Sequence, residues 1–225
     1  MSPLRQPLSP APCFLPPSMK KLLLHPAAKP VVFAICLLPF AWLVYGVFAD
    51  RLGPNPAETL IRASGDWALR GLWIALAVTP LRLLTGTPAL ARFRRMLGLF
   101  AFFYALLHLL CYAWLDMGFD IPEIARDIAK RPFILVGMLT FALLLVLAAT
   151  SFNRAIRWLG GKRWQALHRA VYVASVLALL HFFWMRAGKN FFGEVAIYAA
   201  ILAVLLGWRI GKALRGARAA RAVAS

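Results

Sequence analysis

Six long runs of apolar residues alternate with short polar segments along this chain of 225 residues. Each run has about 20 residues, the length at which an α-helix crosses a hydrocarbon core roughly 30 Å thick. The pattern therefore predicts an all-α membrane protein, a bundle of six transmembrane helices. The predicted spans are residues 31–49, 67–84, 96–115, 132–151, 165–185 and 192–210.

The segments outside the spans are short and polar. The first 17 residues contain six prolines and predict a disordered tail. Residues 50–65 contain Gly-Pro and Asn-Pro turn signals and predict a loop. Residues 116–131 mix both charges and predict a loop with a short interfacial helix. We therefore divide the chain into a proline-rich and basic tail at 1–28, a six-helix domain at 29–210 and a basic tail at 211–225.

The composition supports a membrane protein, because 62% of the residues are hydrophobic and only 15% are charged. Soluble domains have an apolar share nearer one half. The net charge of +18 would suit nucleic-acid binding, but the basic residues flank the apolar runs instead of lining one polar face. We therefore expect membrane lipid around the chain and no nucleic-acid partner.

The charge distribution predicts which side each loop faces. With the N-terminus in the cytoplasm, 18 of the 26 basic residues fall on the cytoplasmic side and all eight acidic residues fall on the other. Short loops rich in lysine and arginine stay in the cytoplasm. We therefore predict that both termini are cytoplasmic and that no acidic side chain lies inside a span.

Histidines are the ionisable residues that remain inside the spans, where such residues are expensive and indicate function. At about 1.5 Å of helix rise per residue, His108 lies roughly 20 Å and His181 roughly 24 Å from the cytoplasmic end of its span. Two imidazoles at one level of a helical bundle are what a bis-histidine haem requires. We therefore predict that His108 and His181 bind haem iron. His25 precedes the first span and is not expected to be a ligand.

His168 has no histidine partner at its own level. It lies 13 residues before His181, and the matching level of the third span contains Arg94, Arg95 and Met96. Its interpretation stays open between a ligand of a second, inner haem and a residue of a quinone or flavin site. Basic side chains near this level are candidates for binding haem propionates, quinone oxygens or a flavin phosphate, or else they only set the topology. These candidates are Arg82, Arg94, Arg95, Lys162, Arg163 and Arg169.

The chain has no motif for other redox chemistry of its own. Cys13, Cys36 and Cys111 lack metal-ligand spacing, and no glycine-rich phosphate loop or dinucleotide fingerprint is present. Electrons, ions or substrates must therefore arrive from the membrane or from partner proteins.

Three long segments, taken together, are specific enough to indicate a protein family: RRMLGLFAFFYALLHLLCYAW, KRPFILVGMLTFALLLVLAATS and GKRWQALHRAVYVASVLALLHFFW. They closely resemble the MsrQ family (also called YedZ), the haem-binding membrane subunits of the bacterial MsrPQ methionine sulfoxide reductase system. The resemblance extends over about residues 29–208. It implies a ferric reductase-like transmembrane domain in the bacterial inner membrane.

The resemblance also implies a function. The family takes electrons from the quinone pool and passes them to the periplasmic molybdopterin enzyme MsrP, which reduces methionine sulfoxide in periplasmic proteins. It implies haem b, one or two per chain, and FMN, for which the sequence has no fingerprint of its own. By the family's pattern the haem ligands are His108, His168 and His181. The second histidine that the wider ferric reductase and NADPH oxidase families have on the third span is absent.

We therefore expect an electron-transfer subunit of an oxidoreductase system and assign no catalytic residue. One alternative is another quinol- or flavin-linked transmembrane cytochrome b or ferric reductase-like protein. Two others are a cofactor-free anchor for a periplasmic enzyme and a small transporter. A transporter would need polar residues through the middle of the membrane, and these spans have few.

Overall fold

The computed structural model describes residues 17–187 and 192–224, and the regular structure in these two ranges is helical throughout. Within them, six segments are long and apolar enough to cross a membrane, which confirms the predicted architecture. The six are Ala28–Phe48, Pro56–Leu84, Pro88–Asp116, Pro132–Ala149, Gly161–Ala187 and Phe192–Ala219. Residues 1–16 of the predicted disordered tail, including Cys13, lie outside the described residues.

The helices are named in chain order. They are α1 (Pro17–Leu24), α2 (Ala28–Phe48), α3 (Pro56–Leu84), α4 (Arg94–Cys111), α5 (Ile121–Lys130), α6 (Pro132–Ala149), α7 (Asn153–Leu159), α8 (Gly161–His168), α9 (Ala170–Ala187) and α10 (Phe192–Ala224). A 3₁₀ helix, Pro88–Phe93, precedes α4, and a π-helical turn, Tyr112–Asp116, continues it. Because successive spans run in opposite directions, α5 lies at one end of the bundle and α7 at the other. We call these the α5 end and the α7 end, and the sequence predicts that the α7 end faces the cytoplasm.

The helix α3 begins at Pro56, well before the start that the apolar pattern predicts for the second span. Asn55 caps it, because the Asn55 side-chain oxygen accepts a hydrogen bond from the backbone N–H of Glu58 at 3.1 Å. Pro56 occupies the first helical position, where a missing N–H costs nothing. The predicted loop over residues 50–65 is therefore wrong for its second half, since the Asn-Pro pair starts a helix there.

The helix α10 is unbroken over 33 residues. At about 1.5 Å per residue it is roughly 50 Å long, which exceeds a hydrocarbon core of roughly 30 Å. Its last turns therefore extend beyond the bundle at the α7 end, and Lys212, Arg215 and Arg218 are exposed there. The helix passes without a break through the predicted limit at residue 210, and the division into tails and domain stays a prediction.

The centre of the bundle is formed by α3, which packs against α4, α9 and α10. Four hydrophobic residues of α3 are at most 5% exposed: Leu69, Leu72, Trp73 and Leu76. The α3 and α4 backbones approach closely at Gly71, where a Cβ atom would lie 3.2 Å from the Cα of Ala101. Small residues at such a crossing favour helix association in a membrane, because lipid surroundings leave van der Waals packing as the main attraction.

Pro80 lies inside α3 and removes one N–H from its helical hydrogen bonding. The carbonyl of Leu76, four residues earlier, thereby loses its usual donor. The guanidinium of Arg209 on α10 donates to this oxygen at 2.6 Å, and it also lies over the ring of Tyr172 at 5.3 Å. A cationic side chain from one span thus satisfies a backbone group that proline frees in another.

Pro39 interrupts α2 in a similar way. Next to it, the hydroxyl of Tyr104 on α4 accepts a hydrogen bond from the N–H of Phe40 at 3.1 Å and donates one to the carbonyl of Cys36 at 2.7 Å. These two backbone groups would pair with each other in a regular helix. The hydroxyl therefore connects α4 to α2, a helix that is otherwise mostly exposed.

Candidate functional site

A cavity of about 260 Å³ lies among α3, α4, α6 and α9. We call it the histidine cavity, because His108 and His181 are in its wall and most of its other lining is apolar. Its charged side chains all lie near the α5 end. We call them the charged rim, and they are Arg62, Asp66, Asp116, Arg131 and Arg186.

The ring of His108 is oriented by α3. Its Nδ1 atom lies 2.8 Å from the backbone carbonyl of Ile61. Because a carbonyl oxygen only accepts hydrogen bonds, Nδ1 must carry the proton and Nε2 keeps a lone pair. One turn further along α3, Gly65 packs against the ring, and a Cβ atom there would lie 3.0 Å from Nδ1. The absence of a side chain at Gly65 therefore makes room for the imidazole.

The ring of His181 is oriented by α6 in the same way. Its Nδ1 atom lies 2.7 Å from the carbonyl of Phe133 and must donate to it. Gly137, four residues after Phe133, packs against the ring, and a Cβ atom there would lie 2.9 Å from Cε1 of His181. Each histidine thus uses one turn of a neighbouring helix, which supplies both a carbonyl acceptor and a glycine.

The two oriented rings face each other across the histidine cavity. Their centroids are 6.2 Å apart and their planes are inclined by 71°. Two imidazoles on opposite sides of one metal ion are expected at roughly 6 Å between centroids, from metal–nitrogen bonds of about 2 Å and about 1 Å from each nitrogen to its ring centre. The structure therefore brings together the two histidines that depth along the helices had paired.

The donor set fits a haem with two histidine ligands. Each ring keeps an Nε2 lone pair, and the space between the rings is bounded by apolar side chains. A site made by protein ligands alone fits less well, since no group of three or more His, Cys, Asp or Glu side chains converges within the described residues. The haem ligation by His108 and His181 stays a prediction that this geometry favours.

His168 lies at the α7 end, as the last residue of α8. Its Nε2 atom is 3.2 Å from the hydroxyl of Thr150, and its ring centroid is 4.0 Å from that of Trp164. The indole of Trp164 donates to the carbonyl of Thr150 at 2.8 Å. A break at Arg169 separates α8 from α9, which contains His181. His168 therefore lies apart from the paired histidines, and its role stays a prediction.

Four of the six basic residues predicted as candidates for binding cofactor groups are arginines at the α7 end that do not line the histidine cavity. They are Arg82, Arg94, Arg95 and Arg169. Arg95 donates to the side-chain oxygen of Asn153 at 2.8 Å. Arg94 and Arg95 lie close enough to His168 for their charges to act on its ring. The role of the four arginines in binding a cofactor stays a prediction.

Sequence analysis missed the charged rim. Arg186 lies between two carboxylates, 3.4 Å from Asp66 and 3.0 Å from Glu194. Asp66 is part of α3 next to Gly65, although the predicted second span starts only at residue 67. The absence of acidic residues from the membrane-embedded parts of the spans stays a prediction. Arg62 and Asp66 are four residues apart, a spacing that places them on one helix face. This signal was available, but it was hidden by placing the start of the helix too late.

Comparison with known proteins identifies the family. The sequence profile described as "Ferric reductase like transmembrane component" matches residues 32–179, more than half of the chain. A protein of Polaromonas naphthalenivorans, named protein-methionine-sulfoxide reductase heme-binding subunit MsrQ, is 69% identical over 191 residues, which cover 85% of this chain and 87% of that protein. The chain belongs to the MsrQ family. A protein of the same name from Ralstonia nicotianae is 51% identical over 207 residues, covering 92% of this chain and 93% of that protein.

The same fold also occurs as part of a longer relative. The magnetosome protein MamZ of Magnetospirillum gryphiswaldense is 46% identical over 201 residues, which cover 84% of this chain but only 31% of MamZ. The resemblance noted in the three sequence segments is thus confirmed. The profile match over residues 32–179 contains His108 and His168 and ends two residues before His181.

Proposed function

We propose that this chain is a haem b-binding electron-transfer subunit of a protein-methionine-sulfoxide reductase in a bacterial inner membrane. The observation that supports the proposal most directly is the pair of histidine rings, His108 and His181, 6.2 Å apart in an apolar cavity. The names of the MsrQ relatives supply the reductase system and the cofactor.

The hydrogen bonds to helix carbonyls prepare both rings for ligation. They place the proton of His108 and of His181 on Nδ1, so that the lone pair of each neutral ring is on Nε2. A carbonyl partner also fixes the ring's orientation and makes the ligating nitrogen more basic. When bound, haem b supplies a reversible one-electron couple.

We propose that electrons leave at the α5 end, which the charge pattern predicts to face the periplasm. The acceptor would be a periplasmic molybdopterin reductase of the MsrP type. Reduction of one methionine sulfoxide takes up two electrons and two protons and yields methionine and water, so a one-electron carrier must deliver twice. Helix α5 is amphipathic and mostly exposed, which makes it available for contact with a partner at this end.

We propose that electrons enter from quinol at the α7 end. An apolar groove there is lined by Ala149, Thr150, Phe152, Arg154, Ala155, Trp158, Leu159 and Leu167. The hydroxyl of Thr150 also contacts His168, so a hydroxyl and an imidazole lie beside an apolar wall. Oxidation of quinol releases two electrons and two protons and leaves quinone, and an imidazole is a suitable proton acceptor. The alternatives at this site are an inner haem with His168 as one ligand, and FMN, which rests on the family resemblance.

An absorption spectrum of the purified protein tests the proposal. We expect b-type bands that dithionite reduces, and we expect His108→Ala and His181→Ala to lose most of the haem. His25→Ala is the matched control, because His25 lies outside the spans, where its ring accepts a hydrogen bond from the N–H of Ala27. Absence of b-type bands from the unmodified protein would leave the anchor or transporter interpretations.

The partner is tested separately. Haem reduced with stoichiometric dithionite should be reoxidised by methionine sulfoxide only when a periplasmic reductase of the MsrP type is also present. Reoxidation at the same rate without the reductase would contradict the proposed direction of electron flow.

A further inference from the structure

Three polar side chains form a chain of hydrogen bonds at the α5 end. The hydroxyl of Tyr112 donates to one carboxylate oxygen of Asp127 at 2.8 Å, and Nε of Arg131 donates to the other at 2.9 Å. The Asp127 side chain is only 8% exposed, although it belongs to the mostly exposed helix α5. A buried carboxylate with both oxygens bonded fixes the groups that it accepts from.

These hydrogen-bonded side chains lie next to the paired histidines, on the side of the α5 end. Tyr112 follows His108 by four residues, on the same face of the helix, and lines the histidine cavity. Arg131 is in the charged rim and precedes Phe133, whose carbonyl holds His181, by two residues. Asp127 thus connects the outer ends of the two regions that position the rings.

Arg131 differs from the other arginines of the charged rim in which guanidinium nitrogen is bonded to a carboxylate. One terminal nitrogen of Arg186, Nη2, bonds to both Asp66 and Glu194, and one terminal nitrogen of Arg62, also Nη2, bonds to Glu58. Arg131 bonds to Asp127 through Nε, and its two terminal nitrogens donate to no group within the described residues. The Arg131 side chain, 52% exposed, belongs to the charged rim of a cavity whose remaining lining is mostly apolar.

A guanidinium with two unused, parallel donors is suited to a carboxylate. The apolar cavity suits a flat apolar ring system, and haem b has two propionate carboxylates on one edge of such a ring. A carboxylate near a membrane interior is costly unless it is paired with a cation. One ligand that is apolar over most of its surface and anionic at one edge would therefore match both the cavity and Arg131.

We propose that Arg131 binds a propionate of the haem held between His108 and His181, with Asp127 and Tyr112 as positioning residues. This inference rests on the proposed function, because it requires haem in the histidine cavity. It assigns the propionate edge of that haem to the α5 end.

The direct test compares haem with its dimethyl ester, in which both propionates are uncharged. The chain is produced without haem and loaded with either compound, and loss to excess apomyoglobin is followed by absorption. In the unmodified protein we expect the ester to leave about tenfold faster, the usual effect of losing a charge-assisted hydrogen bond. In Arg131→Gln, haem itself should leave about tenfold faster and the difference between haem and ester should shrink.

Three further variants sharpen the test. Arg126→Gln is the matched control, because Arg126 is on the same surface helix, pairs with Glu123 and is 61% exposed. Its ratio of ester to haem loss should equal that of the unmodified protein. Asp127→Asn should speed the loss of haem more than that of the ester, since Arg131 is then less well held. Arg131→Lys, with its charge kept but the paired donors lost, should lie between Arg131→Gln and the unmodified protein.

A redox titration gives a second measure. Removing a positive charge near the iron favours the ferric state, so the haem midpoint potential should fall in Arg131→Gln and change less in Arg126→Gln. An unchanged ratio of ester to haem loss in Arg131→Gln would overturn the assignment of Arg131 and leave the haem site intact. Failure of the unmodified protein to bind haem would instead overturn the proposed function.

Discussion

At the scale of single residues, Gly65 and Gly137 let a helix backbone approach the face of a histidine ring. The carbonyl that holds each ring belongs to the residue four positions earlier, Ile61 or Phe133. One helical turn therefore supplies the acceptor and the space together. A larger residue at either glycine would keep the acceptor but displace the ring, which changes the site without changing its ligands.

Gly137→Ala is expected to lose most of the bound haem. The new Cβ would lie 2.9 Å from Cε1 of His181, so the ring or the helix must move. The measurement is the haem-to-protein ratio with the low-spin absorption bands. Gly98→Ala on α4 is the control, because a Cβ there meets nothing within 4 Å, and alanine is favoured over glycine in a helix by about 0.5–1 kcal/mol. Equal haem retention by the two variants would refute a steric role for Gly137.

At the scale of helices, α3 and α10 are joined by a hydrogen bond that proline makes necessary. Pro80 frees the carbonyl of Leu76, and Arg209 donates to it. Trp73 of α3 adds a second link, donating from its indole to the carbonyl of Tyr198 on α10 at 3.0 Å. The position of α10 against the core therefore depends on polar bonds as well as on packing, as expected where lipid competes for apolar contacts.

Arg209→Leu is expected to lower the free energy of unfolding by about 1–3 kcal/mol, because it leaves a buried carbonyl without a donor. Pro80→Ala restores an N–H that can pair with Leu76, so the same arginine change should cost less in that background. Denaturation in detergent, followed by helix content, measures both changes. Lys212→Leu is the control, since Lys212 is exposed on the same helix. Additive effects in the double variant would contradict the link to Pro80.

At the scale of the whole molecule, two candidate redox sites lie at opposite ends of the bundle. His108 and His181 face each other toward the α5 end, and His168 lies with Thr150 and Trp164 at the α7 end. This separation is what a subunit needs if it takes electrons on one side of a membrane and releases them on the other. Functional effects at the two ends should therefore be separable.

His168→Ala is expected to slow haem reduction by quinol by roughly 10²-fold, the contribution of a positioned proton acceptor. Reduction by dithionite and the bands of the His108–His181 haem should be unchanged. Stopped-flow absorption with a soluble quinol measures the rate, and His25→Ala is the control. Loss of all haem from His168→Ala would contradict the separation of His168 from the site formed by His108 and His181.

The predicted orientation is tested by cysteine labelling in a chain whose three native cysteines are replaced. Glu123→Cys places a thiol on α5, and Trp158→Cys places one on α7, where the side chain is 84% exposed. A membrane-impermeant maleimide should label the α5 site in intact spheroplasts and the α7 site only after permeabilisation. The reverse pattern would place the α7 end in the periplasm.

Much of the fold follows from local properties of the sequence. The number of spans and the all-α fold class follow from the number and length of the apolar runs, and both were correctly predicted. Helix ends were less predictable, because α3 starts at a cap, Asn55, whose polar neighbours resemble a loop. The π-helical turn after α4 and the break at Arg169 were also missed, since the apolar runs continue through both positions.

The sequence by itself determined a six-span membrane protein and the level at which His108 and His181 meet. Both follow from residue spacing, because helix rise converts sequence position directly into depth. Only the tertiary structure decided which helix supports each ring and which charges line the cavity. Those features depend on how each helix is rotated and which helix is its neighbour, and no periodicity along one helix contains that information. The positions of Gly65, Gly137 and Arg131 at the histidine cavity can therefore be recognised only once the packing of α3, α4, α6 and α9 is known.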